Sequence, residues 1–402
     1  MKSSILQVTP GINRATAIIL WAMLLCAASQ ARAATPTYYW DANGSADGAG
    51  DPPTGDWFST STNWTLDFYG TSPTFYYANR ANIVFAATGN DYWWQTPDDY
   101  TVTVHGIAQV SDIVFKDGNC TLTTVAPYYL KKDTPFISVL GDGQEATMNS
   151  VIASMDGTSN GITKFAFGTL VLGATNTYRG PTTIKGGTLR LAAPQVLPNT
   201  STLVLAGGDN RPNDYYTSTP PTFDTGGYNQ TLGPLRLTGP NSTLPHTIDF
   251  GHGASALAFA NSNTQDWGGI LLYLANFKPG VDSLRFGTNN SGLSASQLAL
   301  LRFTSSLEVP GRIDANGFVT PAPPPTLSIT RGNPTGMKIT WDAISGRFYN
   351  LQYRANPTTA AWITNAITDI VATNTTVSYT DNPGTNRQRF YRVRLKAISE
   401  GT

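Results

Sequence analysis

GITKFAFGTLVLGATNTYRGPTTIKGGTLRL, residues 161–191, is built from very short runs of alternating apolar residues. Thr169–Leu172, Thr182–Ile184 and Thr188–Leu191 are the runs, and Gly/Asn-rich corners at Gly173–Asn176 and Gly186–Gly187 separate them. Alternation places every second side chain on one face, and glycine permits corners that other residues resist. A strand this brief cannot bury its face alone, so copies must stack on copies. The expectation is an all-β chain wound as a right-handed parallel β-helix, or β-solenoid, with end caps.

Strands are expected on both sides of this stretch. Before it they fall at Ala81–Phe85, Tyr100–Val104, Asp112–Phe115, Thr121–Val125 and Pro135–Leu140. After it come Thr202–Leu205, Thr231–Leu237 as one strand, Thr247–Phe250 and Ala256–Phe259. The phrase Thr-Leu-x-Leu begins at Thr169, Thr188 and Thr202. Its uneven spacing reads as degenerate coils with insertions such as Asp209–Pro221.

Residues 161–237 closely resemble the autotransporter-associated β-strand repeat of passenger-type secreted bacterial proteins. Phe223-Asp224-Thr225-Gly226-Gly227 and Ile248-Asp249-Phe250-Gly251 are similar to phrases of that family, as is the opening Trp40-Asp41-Ala42-Asn43-Gly44. The resemblance spans most of residues 38–320 and implies a long scaffold with no obligatory active site.

An open solenoid end exposes unpaired backbone groups and needs a lid. Trp40, Trp57 and Trp64 suit the first end. Near the second, Ser294-Ala295-Ser296-Gln297 fits a capping box, with Leu293 before it and Leu298 and Leu301 at helical spacing. Pro321–Pro325 is a proline-rich spacer. Six short strands follow, and Trp341 and Tyr391 resemble core markers of fibronectin type III domains. The domains read as a signal peptide at 1–33, a capped solenoid at 34–320, a linker at 321–325 and a fibronectin type III-like β-sandwich at 326–396.

The signal reading rests on Lys2 and Arg14, the apolar run Ala15–Ala28 and the small-x-small site Ala31-Arg32-Ala33. It implies export, to a secreted or cell-surface location. No later segment is apolar enough to span a bilayer as a helix, and nothing after Pro325 reads as a translocating barrel. After cleavage Cys120 is the one cysteine left, read as a buried small hydrophobe. Charged residues are 13% of the chain and sum to zero, against nucleic acid or anionic lipid as partner.

Catalytic, cofactor and metal residues are each read as none. Glycoside hydrolysis needs paired carboxylates, and Glu145, Glu308 and Glu400 stand in unpromising local settings. The many Asp residues sit beside Gly or Asn, where a side-chain oxygen caps a turn. Lys131-Lys132-Asp133 reads as a solvated loop. Asp41, Asn43, Ser45 and Asp47 alternate as in calcium loops, but Pro52 stands where the closing Glu belongs, so residues 41–51 read as a capping loop. His105, His246 and His252 are scattered. Trp93 and Trp94, with Tyr92 and Tyr100, suit sugar stacking or packing in an insertion between coils.

The function expected is that of a secreted or cell-surface structural, adhesive solenoid, non-enzymatic, touching extracellular polysaccharide or cell-surface components. Two alternatives stay open. One is a polysaccharide lyase or hydrolase whose residues come from different coils; the other is a glycan-binding module on a solenoid stalk.

Overall fold

The structure, a computed structural model, describes residues 35–402 except 75, 76, 78, 87–98, 208–218, 240–244, 304–310, 323, 324, 332–335, 344–347, 357, 359, 360, 365–369, 383–387 and 396–402. The signal segment, the Trp93–Trp94 pair, Glu308, Glu400 and most of the Asp209–Pro221 insertion therefore lie outside the described residues.

Short strands line up into long, mainly parallel sheets, the arrangement of a β-solenoid. One ladder of ten strands runs from Gly55–Trp57 through Thr169–Leu172 and Thr188–Leu191 to Leu301–Phe303. A second, of eleven, includes Ala81–Phe85, Ile162–Phe165, Thr182–Ile184 and Leu203–Ala206. A third, of five, begins at Gln230–Leu232. In residues 161–191 the chain alternates between the first two, so Thr169 stands beside Thr188 and Thr163 beside Thr183.

Two readings of the strands need correction. Thr202–Leu205 is not a third copy of the Thr169 position, because Leu203 pairs with Thr182 in the other ladder. The shorter interval is a step from one face to the next. The true next coil brings Thr222 beside Thr188, with the insertion lengthening that turn to 34 residues. Likewise, Thr231–Leu237 is two strands, Gln230–Leu232 and Leu235–Thr238, in different sheets. Gly233-Pro234 makes the corner, since proline offers no ladder donor.

Register stacks like on like. Leu170, Leu189, Phe223, Ile248, Leu274 and Phe303 form one inward column, all at most 1% exposed. Each such side chain contributes roughly 1.5–3 kcal/mol of burial. Close coil spacing explains particular glycines. At Gly161 a methyl group would run into the Pro181 carbonyl, and Gly187 (φ +62°) approaches the carbonyls of residues 166–168. Buried corner amides are satisfied: Asn176 accepts from Ile152 N and donates to Val196 O, at 2.8 and 2.9 Å.

Both ends of the ladders are closed by irregular structure. Trp64–Thr65 adds antiparallel to Thr37–Trp40, and Trp40, Trp57 and Trp64 pack edge to face at 4.9–5.2 Å. At the other end Ala295–Leu300 is helical with its capping box formed. Gln297 also donates to Ser262 O and Gln265 O, both at 2.8 Å. Beyond residue 326 lie two small antiparallel sheets, of three and four strands. They share a separate core of Ile339, Trp341, Tyr349 and Leu351.

Candidate functional site

On the ten-stranded ladder the outward positions form rows along the coils. One row is Glu145, Thr169, Thr188, Thr222 and Thr247. The adjacent row is Val171, Arg190, Asp224 and Asp249. Ladder pairing therefore delivers two carboxylates and a guanidinium to one patch. Arg190 Nη1 lies 2.7 Å from Glu145 Oε2, and Arg190 Nε lies 2.9 Å from Asp224 Oδ2. His252 Nδ1 is 3.1 Å from Asp224 Oδ1, which also accepts from Gly226 N at 2.8 Å.

Desolvation opposes the Arg190 charge, but its bonds to Asp224 and Glu145 outweigh that, and its pKa rises above the ordinary arginine value. The Asp224 side chain is 4% exposed and has both oxygens engaged. Asp224 is bonded to Arg190, His252 and the Gly226 amide, an arrangement that ties one coil to another. Glu145, Arg190 and Asp224 span positions far apart in sequence, so no local motif could have announced the patch.

A second feature is an open groove of about 470 Å³ across successive coils. Tyr128, Tyr129, Lys131, Ala153, Asp156 and Arg179 are among its lining residues. Lys131 Nζ binds Asp156 Oδ2 at 2.8 Å. Lys131 pairs in register with Ala153, whose small side chain leaves the space open. This corrects the solvated-loop reading of Lys131–Asp133. Leu130–Lys132 is a strand, with Lys131 at the groove and Lys132 buried, donating to Ser111 O and Phe136 O.

The remaining candidates separate. His105 stacks on Phe58 at 4.0 Å and pairs with Asp56 at 2.8 Å. His246 is buried and accepts from Gly207 N at 3.2 Å, and desolvation lowers its pKa to about 4. In the loop at 41–51, Asp41 Oδ1 accepts from Asn43 N and Gly44 N, both at 3.1 Å, a turn-capping geometry. Burial raises the Asp41 pKa to about 6, against those two amides. Among the described residues no three His, Cys, Asp or Glu converge as metal ligands. Cys120 is buried, which pushes its thiol pKa up. No helix among the described residues is long and apolar enough to cross a membrane.

Comparison with known proteins fits this geometry. Residues 167–191 match the Passenger-associated-transport-repeat family, the segment in which Thr169–Leu172 and Thr188–Leu191 stack as successive coils. Over 187 residues, 46% of this chain, the sequence is 27% identical to the adhesin BmaC autotransporter of Brucella suis biovar 1 (strain 1330). That stretch covers 5% of the adhesin's own length. No solved structure matches the chain. The repeat and the adhesin relative together support a passenger-type β-solenoid protein.

Proposed function

We propose that this chain is an exported, surface-displayed adhesive β-solenoid that contacts extracellular polysaccharide or matrix and catalyses no reaction. The observation that carries it is the ladder itself. Coil after coil stacks in register, and Glu145, Arg190 and Asp224 are spent on joining coils. The passenger-type repeat and the adhesin relative support display at the cell surface, and the signal-like N-terminus supports export. The groove between Tyr128 and Arg179 is the contact we assign to the solenoid, since tyrosine faces and paired charges suit a sugar chain. The C-terminal sheets are taken as a fibronectin type III-like domain beside it.

A glycan array on the intact chain tests this, with Tyr128→Ala and Arg179→Gln alongside. Polysaccharide capture that both substitutions weaken severalfold is expected; capture indifferent to both removes the groove from the reading. The enzyme reading has one observation in its favour, the Glu145–Arg190–Asp224–His252 patch. Steady depolymerisation of a polysaccharide, lost in Asp224→Asn, would replace adhesion with catalysis.

A further inference from the structure

The groove between Tyr128 and Arg179 holds an unequal set of charges. Its lining carries one carboxylate, Asp156, and two cations, Lys131 and Arg179. The solenoid as a whole leans the other way: residues 34–325 hold 14 Lys/Arg and 22 Asp/Glu, a net of −8. One surplus cation therefore stands in a concave site of an acidic domain, where low-dielectric walls focus its field. Residues 99–207 are described without a break, which covers the coils that form the groove and the coil on either side.

The surplus cation is Arg179. Lys131 holds Asp156 in an ion pair and is the first cause of its lowered pKa, to which Arg179 adds more weakly from farther off. Among the described residues the Arg179 guanidinium has no ion pair and no hydrogen bond of its own. Its backbone, in contrast, is pinned. Arg179 N donates to Ser154 Oγ at 3.0 Å, and that hydroxyl donates to Asn160 O at 2.7 Å. Thr177 N donates to Ile152 O at 2.9 Å. Between them Tyr178 is buried, its OH 2.6 Å from Thr182 Oγ1. A charge carried on a fixed backbone costs less ordering when a ligand takes it.

Two aromatic rings, Tyr128 and Tyr129, line the same groove, and Tyr128 is 39% exposed. They belong to the first of three successive coils and Arg179 to the third, two strand spacings away, roughly 10 Å along the ladder.

We propose that the groove binds an acidic polysaccharide, with Tyr128 against the face of one sugar ring and Arg179 on the carboxylate of a neighbouring uronic acid. The inference rests on the adhesive reading of this groove and adds the chemical class of its ligand. A hydroxyl offers Arg179 one neutral acceptor, whereas a carboxylate offers two charged ones in the geometry of the guanidinium fork. A nucleic acid also stacks on aromatic rings, but its phosphate track takes several cations to hold. A single surplus cation beside tyrosine suits a sugar acid better.

The test is binding of the intact chain to polygalacturonate and alginate and to their methyl esters, with oligothymidylate as a second kind of polyanion. Each pair of polymers shares a backbone and differs in the carboxylate. An acidic polymer should bind about tenfold tighter than its ester, as one charge-assisted pair allows, and weaken as salt rises. Arg179→Gln should erase that difference with the thermal melt unchanged, and Tyr128→Ala should weaken acid and ester alike. Asp156→Asn removes the repelling carboxylate and releases Lys131, so binding of the acidic polymer should tighten severalfold. Acid and ester bound equally, and both weakened by Tyr128→Ala, would keep the groove as a glycan site and overturn its acidic preference. Binding of none of the four glycans, or binding indifferent to Arg179→Gln and Tyr128→Ala, would overturn the groove itself. Tighter binding to oligothymidylate, or weaker acidic-glycan binding in Asp156→Asn, would also overturn the proposal.

Discussion

At the scale of single residues, two buried titratable groups pull stability in opposite directions. His246 is held neutral by burial, with a pKa of about 4 against an ordinary 6.5. The unfolded chain therefore binds the extra proton first. Stability is full above pH 6.5 and declines as pH falls toward 4, by roughly 3 kcal/mol at most. His246→Gln, whose amide oxygen can still accept from Gly207 N, should flatten that decline in urea titrations from pH 7 to 4. Asp41 has the reverse sign, because its folded pKa is raised. Its contribution is present below the unfolded value near 3.8 and is lost as pH rises through about 6. Asp41→Asn keeps an acceptor for the two turn amides and removes the buried charge. It should raise the neutral-pH melting temperature by a few degrees, equivalent to about 1 kcal/mol; no gain at pH 7.5 would contradict a destabilising buried charge at Asp41. The turn at Asp41 was legible from its neighbours, but the burial of both groups was not, since it comes from residues distant in sequence.

Elements differ in how much of them can be read locally. The helix Ala295–Leu300 was visible because a capping box is a local device: Ser294 Oγ accepts from Gln297 N at 3.2 Å, and Gln297 Oε1 from Ser294 N at 2.8 Å. Ser294→Ala should cost about 1 kcal/mol in chemical denaturation. Gln297→Ala should cost more, since its amide also satisfies the Ser262 and Gln265 carbonyls. Equal losses would mean that those two bonds contribute nothing. Strands such as Ala81–Phe85 and Phe348–Arg354 were legible from alternation. Glu145–Asn149, Leu272–Ala275 and Ser283–Phe286 were not, because two or three inward side chains give too short a pattern to stand out. Lys164 shows the same limit. Nothing in its local sequence marks it, and it is buried and donates to Ala166 O and Gly186 O at 2.7 and 3.0 Å.

For the whole molecule, the solenoid coils share one hydrophobic cluster while the C-terminal sheets have their own. Two unfolding transitions are expected in calorimetry. Leu351→Ala, opening a cavity in the small core, should lower only one of them, by roughly 2–4 kcal/mol. A single transition that shifts as a unit would show the two parts to be one cooperative body. The sequence by itself determined the class of fold. Period-two runs too short to stand alone, broken by glycine corners, leave stacking of coils as the way to bury their faces. It also determined the devices that act within a few residues, the helix cap and the aspartate turn at Asp41. Only the tertiary structure decided which ladder each strand joins, and so which charges meet. Arg190 reaches Glu145 and Asp224 across coils of unequal length, and Arg354 and Arg392 reach Trp362 across paired strands. Such meetings follow from register, which depends on every intervening turn.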